Sequence, residues 1–594
     1  MATTGIQSIS PLKEVSYKQL QNVPGELTDM SPDSAAPFTL PNFPFFSKLL
    51  RYAYRQPCAL AVRDDVSGIE RSYLHLLTDV LSLRNSLRRT LSAQVHQQLD
   101  NQEEVYICIL APGGYEFVVG FIAILALGAA AVPLSTSLPV QEGSYYVRKS
   151  RAVAMLSSSN SSDLAEHLQQ FLRASSDVKG GSLDILNLNI AQYLCSEPCL
   201  PSEILLSSSE SLDPNGAGTI IFTSGTTGPP KAAVQRRNYA TDVAETLADD
   251  LGVNDRDTIL HVFPVHHTTG VGTNILPFLI KGACVEFRSG GFDPAWVWRR
   301  WRDGGLTFFS GVPTMYQRLM RHYKEKIAEL PPAERKTYEL GARQIRSFLC
   351  GTSALPEPLQ EFWTTIRGGQ PINTRYGSTE TQLVFTTGID ARGIPVGSVG
   401  PARPGIEVKL VNGDEGEILV KSPWMFAKYL DDDTATAEIF DKDGFFRTGD
   451  IGRREGPNYF ILGRASIDII KSGGYKISAL DIEREIGALP YISEVMVVGV
   501  PDEEYGQRVA AAVSLLKPDR GEPIRTSPTI TELRQDLRSQ LSSYKMPTLL
   551  RVVRELPTTA SGKVMKKQLG QELFPNAGHP EVQKWTKRTA SPKL

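Results

Sequence analysis

The sequence predicts an α/β protein, with layered sheets and helices in a large N-terminal unit and a smaller C-terminal α+β unit behind it. Three observations carry this. From residue 217 onward short apolar runs, GTIIFTSG, TFFSGVPT and IRSFLCGTS, alternate with helix-like stretches such as PTMYQRLMRHYKEKIAEL, the pattern that builds helix-covered sheets. Each run ends in Gly, Ser or Thr, which leaves backbone N–H groups free at the carboxyl ends of strands, where open α/β sheets gather ligands. Near residue 464 the texture changes: ILGRASIDIIKSGGYKISALDIEREI leads into EVMVVGVPD and RVAAAVSLL, then a polar stretch and the basic end LPTTASGKVMKKQL, a second unit of ordinary domain size.

At 594 residues the chain exceeds a single domain. Residues 1–40 mix Pro, Ser and Thr without periodicity and read as a loose extension, 41–463 as the large unit, 464–575 as the small one and 576–594 as a tail. The serine runs 157–162 and 207–211 read as surface loops. Residues 117–134 (FVVGFIAILALGAAAVPL) carry no charge over about the ~18 residues that prompt a transmembrane reading. Gly128 and Pro133 interrupt the stretch and no basic cluster flanks it, so it is expected to be a buried helix running into a buried strand, not a membrane span.

Hydrophobic residues at 41%, charged residues at 22% and a net charge of -2 exclude a general nucleic-acid binder and suit a small-molecule enzyme. The six cysteines are sparse; Cys195 and Cys199 have no second pair or histidine cluster beside them, so neither zinc nor a disulfide framework is expected. The N-terminus lacks an apolar signal core, and Glu14, Glu26 and Asp29 argue against a transit peptide. Pro592, Lys593 and Leu594 differ from the SKL signal at one position, so a cytoplasmic or peroxisomal address is expected. The oligomeric state is left open.

The sharpest motif is Thr223, Ser224, Gly225, Thr226, Thr227, Gly228, Pro229, Pro230 and Lys231, directly after a strand-like run. Its glycines admit an anion to backbone amides, its hydroxyls add donors and Lys231 adds charge, which together suit a polyphosphate. The Walker A spacing is absent, which excludes a P-loop kinase or GTPase. Standing alone, the motif could be an ordinary polar loop. It is followed in order by Arg375-Tyr376-Gly377-Ser378-Thr379-Glu380, Arg447-Thr448-Gly449-Asp450, Gly463-Arg464, Lys471-Ser472-Gly473-Gly474-Tyr475-Lys476 and Ser561-Gly562-Lys563.

With these six motifs in this order the sequence resembles the adenylate-forming superfamily of acyl-CoA synthetases, luciferases and peptide-synthetase adenylation domains, over residues 40 to 575. The resemblance implies ATP, Mg²⁺ and coenzyme A as reactants and cofactor, and a carboxylic acid as substrate. The loop from Thr223 to Lys231 would close over the phosphates, Tyr376 would stack on adenine, Thr379 would touch the α-phosphate and Glu380 would hold Mg²⁺. Asp450 would take the ribose hydroxyls, Arg464 would add charge nearby, and Gly351 with Thr352 would complete the nucleotide contacts. Lys563 is implied as the mobile catalytic lysine. After adenylation the small domain would rotate about a hinge just past Arg464, withdrawing Lys563 and bringing Lys471, Gly473 and Gly474 to a CoA tunnel. An extra residue between Arg464 and Lys471 leaves the pivot open among Ser466, Ile467 and Asp468; Asp468 could equally be a solvated carboxylate.

Pro264, Val265, His266, His267, Thr268, Thr269 and Gly270 match the segment that lines the family's acyl pocket, and no aspartate occurs there. An amino-acid substrate is disfavoured, because its ammonium would lack a counter-charge. His267 matches a gating position between acyl pocket and tunnel, or is a structural histidine. GVPTMYQRLM, GSVGPARPGIEV and GVPDEEYGQRV look most like malonyl-CoA synthetases. Arg375 is the telling residue: a buried guanidinium there would pair with a second carboxylate, and losing such a partner costs on the order of 3 to 5 kcal/mol. Thr352 would add a hydroxyl to that pocket. Two departures point the other way, since Thr269 stands where that branch often has histidine and LVFTT (383–387) is more apolar than a dicarboxylate pocket asks. The alternatives are a ligase for a fatty, aromatic or secondary-metabolite acid, an enzyme loading a separate carrier protein, and a non-catalytic binder of the same fold.

Overall fold

The computed structural model describes residues 38–174, 182–223, 229–352, 354–465, 467–472, 475–516, 527–558, 564–575 and 579–585. Two large sheets carry the N-terminal part. The first has seven strands, in the order Lys428–Tyr429, Lys231–Arg236, Ala217–Thr223, Ala130–Leu134, Tyr106–Leu110, Ala154–Ser157 and Leu186–Asn189. The second has eight: Gln382–Thr386, Asn373–Ser378, Ser347–Cys350, Phe308–Gly311, Thr258–His261, Cys284–Phe287, Leu60–Asp64 and Ile69–Ser72. Inner strands run mostly parallel; antiparallel strands close both edges of the second sheet and one edge of the first, whose other edge, Leu186–Asn189, is parallel.

Period-2 alternation assigns each strand face its own helical layer. Ile107 and Ile109 join the core that the helices Tyr73–Thr90 and Tyr115–Leu127 form between the two sheets, while Tyr106, Cys108 and Leu110 pack against the outer helices Val140–Ser150 and Ser162–Ala174. In the second sheet Ile259 and Phe308 face the shared core, and Leu260, Phe309 and Phe348 face Trp298, Trp301 and Trp363.

The uncharged stretch resolves as expected: the buried helix Tyr115–Leu127 ends on Gly128 at φ 85° and runs into the buried strand Ala130–Leu134. Among the described residues no helix is long and apolar enough to cross a membrane. The serine runs are a correction. Ser157 closes a core strand and is fully buried, and 207–211 belong to the strand Leu205–Ser211, which pairs in parallel with Thr39–Asn42. Composition marked them as loops, but pairing with residues far away in sequence decides them.

A four-stranded antiparallel sheet (Glu407–Leu410, Glu415–Lys421, Phe446–Glu455, Asn458–Arg464) leads to the small lobe. That lobe is a sheet of Tyr475–Ser478, Ile469–Ser472, Gly506–Leu515, Leu549–Val553 and Gln583–Lys584, with Ile492–Asp502 also on Gly506–Leu515. Gln583–Lys584 pairs antiparallel with Leu549–Val553, and Trp585 packs on the lobe's core, so residues read as tail contribute to the lobe.

Candidate active site

Strands of both large sheets end at one cleft of about 3670 Å³, which the small lobe closes. That is several times the roughly 300–1,000 Å³ of an ordinary ligand pocket, enough for a nucleotide, an acid and a long thiol.

At one end, Thr223 and Lys231 are cross-strand partners flanking the polar loop, and both line the cleft. Ser224, Gly225, Thr226, Thr227 and Gly228 lie outside the described residues. Lys231 Nζ stands 4.9 Å from the centroid of the Tyr429 ring, whose hydroxyl donates to Glu380 Oε1 at 2.8 Å. Burial and the Glu380 charge push the Tyr429 hydroxyl up, so it stays a donor. Sequence reading missed Tyr429, which sits in no motif. The Thr379 carbonyl accepts the side-chain amides of Gln235 (3.1 Å) and Gln382 (2.8 Å); Gln382 adopts φ 58°. These bonds hold the turn that carries Thr379 and Glu380 into the cleft.

Tyr376, on the strand Asn373–Ser378, is stacked on Phe385 at 5.4 Å, and Phe385 on Tyr459 at 4.3 Å. Its hydroxyl donates to Asp450 Oδ2 at 2.7 Å, and Arg464 Nε donates to Asp450 Oδ1 at 2.9 Å. Asp450 and Arg464 are cross-strand partners. Three motif residues far apart in sequence thus meet in one network.

Arg375 precedes Tyr376 on the same strand, so its side chain leaves from the opposite face. It is buried, lines the cleft, and donates through Nη2 to Ser310 Oγ at 2.9 Å. Among the described residues no carboxylate pairs with it, and burial lowers its pKa to about 10. Ser310, at the end of Phe308–Gly311, is a second residue sequence reading missed. Beside it, Thr352 holds φ 70°, a strained conformation for a β-branched residue and a feature of ligand sites. A Cβ at Gly351 would lie in ordinary contact, 3.4 Å from the Arg375 carbonyl.

His267 precedes the helix Thr268–Asn274, and its ring lies 4.4 Å from that of His266. Both line the cleft. Burial lowers His266 to about 3, so the imidazole is neutral. The apolar run 383–387 is divided: Val384 and Phe385 point away into a core with Ile418, Val420 and Tyr459, while Leu383 and Thr387 line the cleft, so one apolar side chain of the run does face it.

In the small lobe Lys563 lies outside the described residues. Thr558 and Val564, which flank it, pair with each other, and with Met565 and Lys566 they line the same cleft as Tyr376 and Asp450. Lys471 is exposed and not part of the cleft lining; its backbone N–H donates to Gln507 Oε1 at 2.7 Å. Gly473 and Gly474 lie outside the described residues. Asp468 is not a solvated carboxylate: it accepts the Arg464 backbone N–H at 2.9 Å and Lys566 Nζ at 2.6 Å.

The model of the family described as AMP-binding enzyme matches residues 49–430, and that of the AMP-binding enzyme C-terminal domain matches 481–563. The chain belongs to the AMP-binding enzyme family. An acyl-CoA ligase of Aspergillus oryzae, oryP, is 33% identical over 544 residues, spanning 90% of this chain and 93% of that protein. A mitochondrial malonate–CoA ligase of Xenopus laevis is 32% identical over 534 residues, spanning 84% and 88%. The crystal structure of ATP-bound MatB from Rhodopseudomonas palustris is 25% identical, with a TM-score of 0.70 over 88% of this chain and 98% of that one. The family member's large and small domains follow the α/β architecture read from the sequence. The expected cytoplasmic or peroxisomal address rests on residues 592–594, outside the described residues, whereas the frog relative is designated mitochondrial.

Proposed function

We propose that this chain is an ATP-dependent carboxylate–CoA ligase whose acid carries a second carboxylate, as malonate does. The observation that carries the choice of acid is Arg375, a buried guanidinium that lines the cleft with one hydroxyl as its partner among the described residues. An isolated buried cation is costly and calls for an anion. The names of the Xenopus ligase and its relatives support the same acid.

A carboxylate is a poor electrophile with no good leaving group. In the first step an oxygen of the acid attacks the α-phosphorus of ATP and pyrophosphate departs, leaving the acyl-adenylate. In the second the CoA sulfur, having lost its proton, attacks the acyl carbon and AMP leaves. Tyr376 offers its ring to adenine and Asp450 its carboxylate to the ribose. Thr379, the 223–231 loop and Lys231 address the phosphates, and Lys563 neutralises the charge that builds on them. Thr352 donates to the acid, and His267 stands where acyl pocket and thiol channel would meet. Mg²⁺ suits the donor set, one carboxylate (Glu380) beside phosphate oxygens, and among the described residues no cluster of three or more His, Cys, Asp or Glu offers an all-protein metal cage. When bound, the ion would add positive charge to the phosphates.

The test is a pyrophosphate-release screen with CoA over malonate, methylmalonate, short and long fatty acids and aromatic acids. Malonate leading, with CoA-dependent AMP formation, is the expected result. A fatty or aromatic acid leading overturns the choice of acid, and release without CoA transfer favours loading of a carrier protein.

A further inference from the structure

We infer that Lys566 is a positioning residue that ties the Lys563-bearing segment to the hinge turn and so sets the small lobe for adenylate formation. The inference rests on the ligase reading above. Lys566 Nζ donates to Asp468 Oδ1 at 2.6 Å and to Glu483 Oε2 at 2.9 Å. All three side chains are nearly excluded from solvent, yet their residues line the cleft. Burial works against the Lys566 charge, but Glu483 and Asp468 outweigh it and keep the amine protonated.

Asp468 makes this more than an ion pair inside one lobe. Its Oδ2 accepts the backbone N–H of Arg464 at 2.9 Å, and its own N–H donates to the Arg464 carbonyl at 2.7 Å. Arg464 ends the strand Asn458–Arg464 and holds Asp450, which holds Tyr376. Hydrogen bonds therefore run unbroken from the tyrosine at the nucleotide end, through the hinge turn, to the first residue of the helix Lys566–Leu573. The approach is close: Gly463 adopts φ 122°, and any side chain there would strike Asp468. A lobe that turned about this joint would keep Lys566 with Glu483 and break the Asp468–Arg464 bonds.

The plainer reading is a buried ion triad that only holds the lobe together, Glu483 also accepting the Val497 N–H at 2.6 Å. Buried ion pairs add little net stability over apolar packing, and fixing one arrangement among several is their best-attested use. The triad also sits at the joint, beside Gly463 and Arg464, and not among the apolar residues of the lobe's core.

Half-reactions separate the two. The readouts are acid-dependent ATP–pyrophosphate exchange, and acyl-CoA formation from the supplied acyl-adenylate of the acid that leads the screen. Misplacing a reacting group by about 1 Å can cost about 10²-fold, so Lys566→Met is expected to slow exchange by about 10- to 100-fold. The KM for ATP and the thioester step should stay within about twofold. Lys566→Arg, which can still bridge two carboxylates, should recover most of the exchange rate. Asp468→Asn leaves Lys566 paired with Glu483 and should show the same split even if the Met variant does not fold. Equal loss in both half-reactions, loss in neither, or no recovery by arginine overturns the inference. A wild-type chain without any acid-dependent exchange refutes the ligase reading itself, and the role of Lys566 with it.

Discussion

At the proposed nucleotide end of the cleft each carboxylate is held by the fold, Asp450 by Tyr376 and Arg464 and Glu380 by Tyr429, whereas at the proposed acyl end Arg375 has, among the described residues, only the Ser310 hydroxyl. A second buried arginine shows that this is not how the fold treats guanidinium in general. Arg367 donates to the carbonyls of Ile345, Arg346, Gln370 and Pro371 and to the Gln370 side chain, and it stands outside the cleft lining. Burial lowers both to about 10, yet the fold gives Arg367 five acceptors and leaves only its Nε without one, whereas among the described residues Arg375 has the Ser310 hydroxyl and donors to spare beside the cleft. The lesson is a division of labour. On the proposed function, the paired groups would keep the nucleotide site in shape, while the guanidinium of Arg375 would select what enters beside it.

The comparison breaks most sharply at the lysine supplied from the small lobe. Lys563→Ala should lower acid-dependent pyrophosphate exchange by about 10² to 10³, the cost of one preorganised charge, and spare thioester formation from supplied acyl-adenylate; equal loss of both would remove Lys563 from the first step. Next comes the paired end: Asp450→Ala should reduce kcat/KM for ATP by about 10- to 100-fold, since hydrogen bonds to a charged group contribute about 1.5–3 kcal/mol. The KM for the acid should hardly move, and a matching rise in it would mean that the two ends are not separate. Arg367→Met should act on stability alone, because each carbonyl stripped of its donor costs about 1–3 kcal/mol; a lower Tm with an unchanged preference among acids is expected, and an altered preference would erase the contrast between the two arginines. The smallest effect is on pH. Arg375 at about 10 stays charged and His266 at about 3 stays neutral through the working range, so the malonate KM should be flat between pH of about 7 and 9, where malonate is a dianion. With a lowered Arg375 pKa, the KM can rise only as pH climbs toward that value. An inflection near neutrality would give the anion-binding role to a histidine.

Much of this was legible in the sequence because the chemistry sits on short motifs at strand ends. The run before Thr223, the stretch around Phe309 and the residues before Gly351 are the strands they look like, and Tyr376, Asp450 and Arg464 meet as their motif order implied. Partners fixed only by folding were not legible. Tyr429 reaches Glu380 from an edge strand of the other sheet, Ser310 reaches Arg375 across the strand Ser347–Cys350, and Asp468 finds Lys566 across 98 positions. None lies in a motif with its partner, so no spacing announces it. The serine strand Leu205–Ser211 escaped for the same reason, since its pairing with Thr39–Asn42 is what makes it a strand.

The most direct measurement is the ratio of kcat/KM for malonate to that for propionate, which lacks the second carboxylate, in the wild type and in Arg375→Ala. Removing the guanidinium should cut that ratio by at least about 10²-fold, from the 3 to 5 kcal/mol of a buried charge pair. A ratio that stays the same in the variant would contradict the assignment of Arg375 and of the dicarboxylate together.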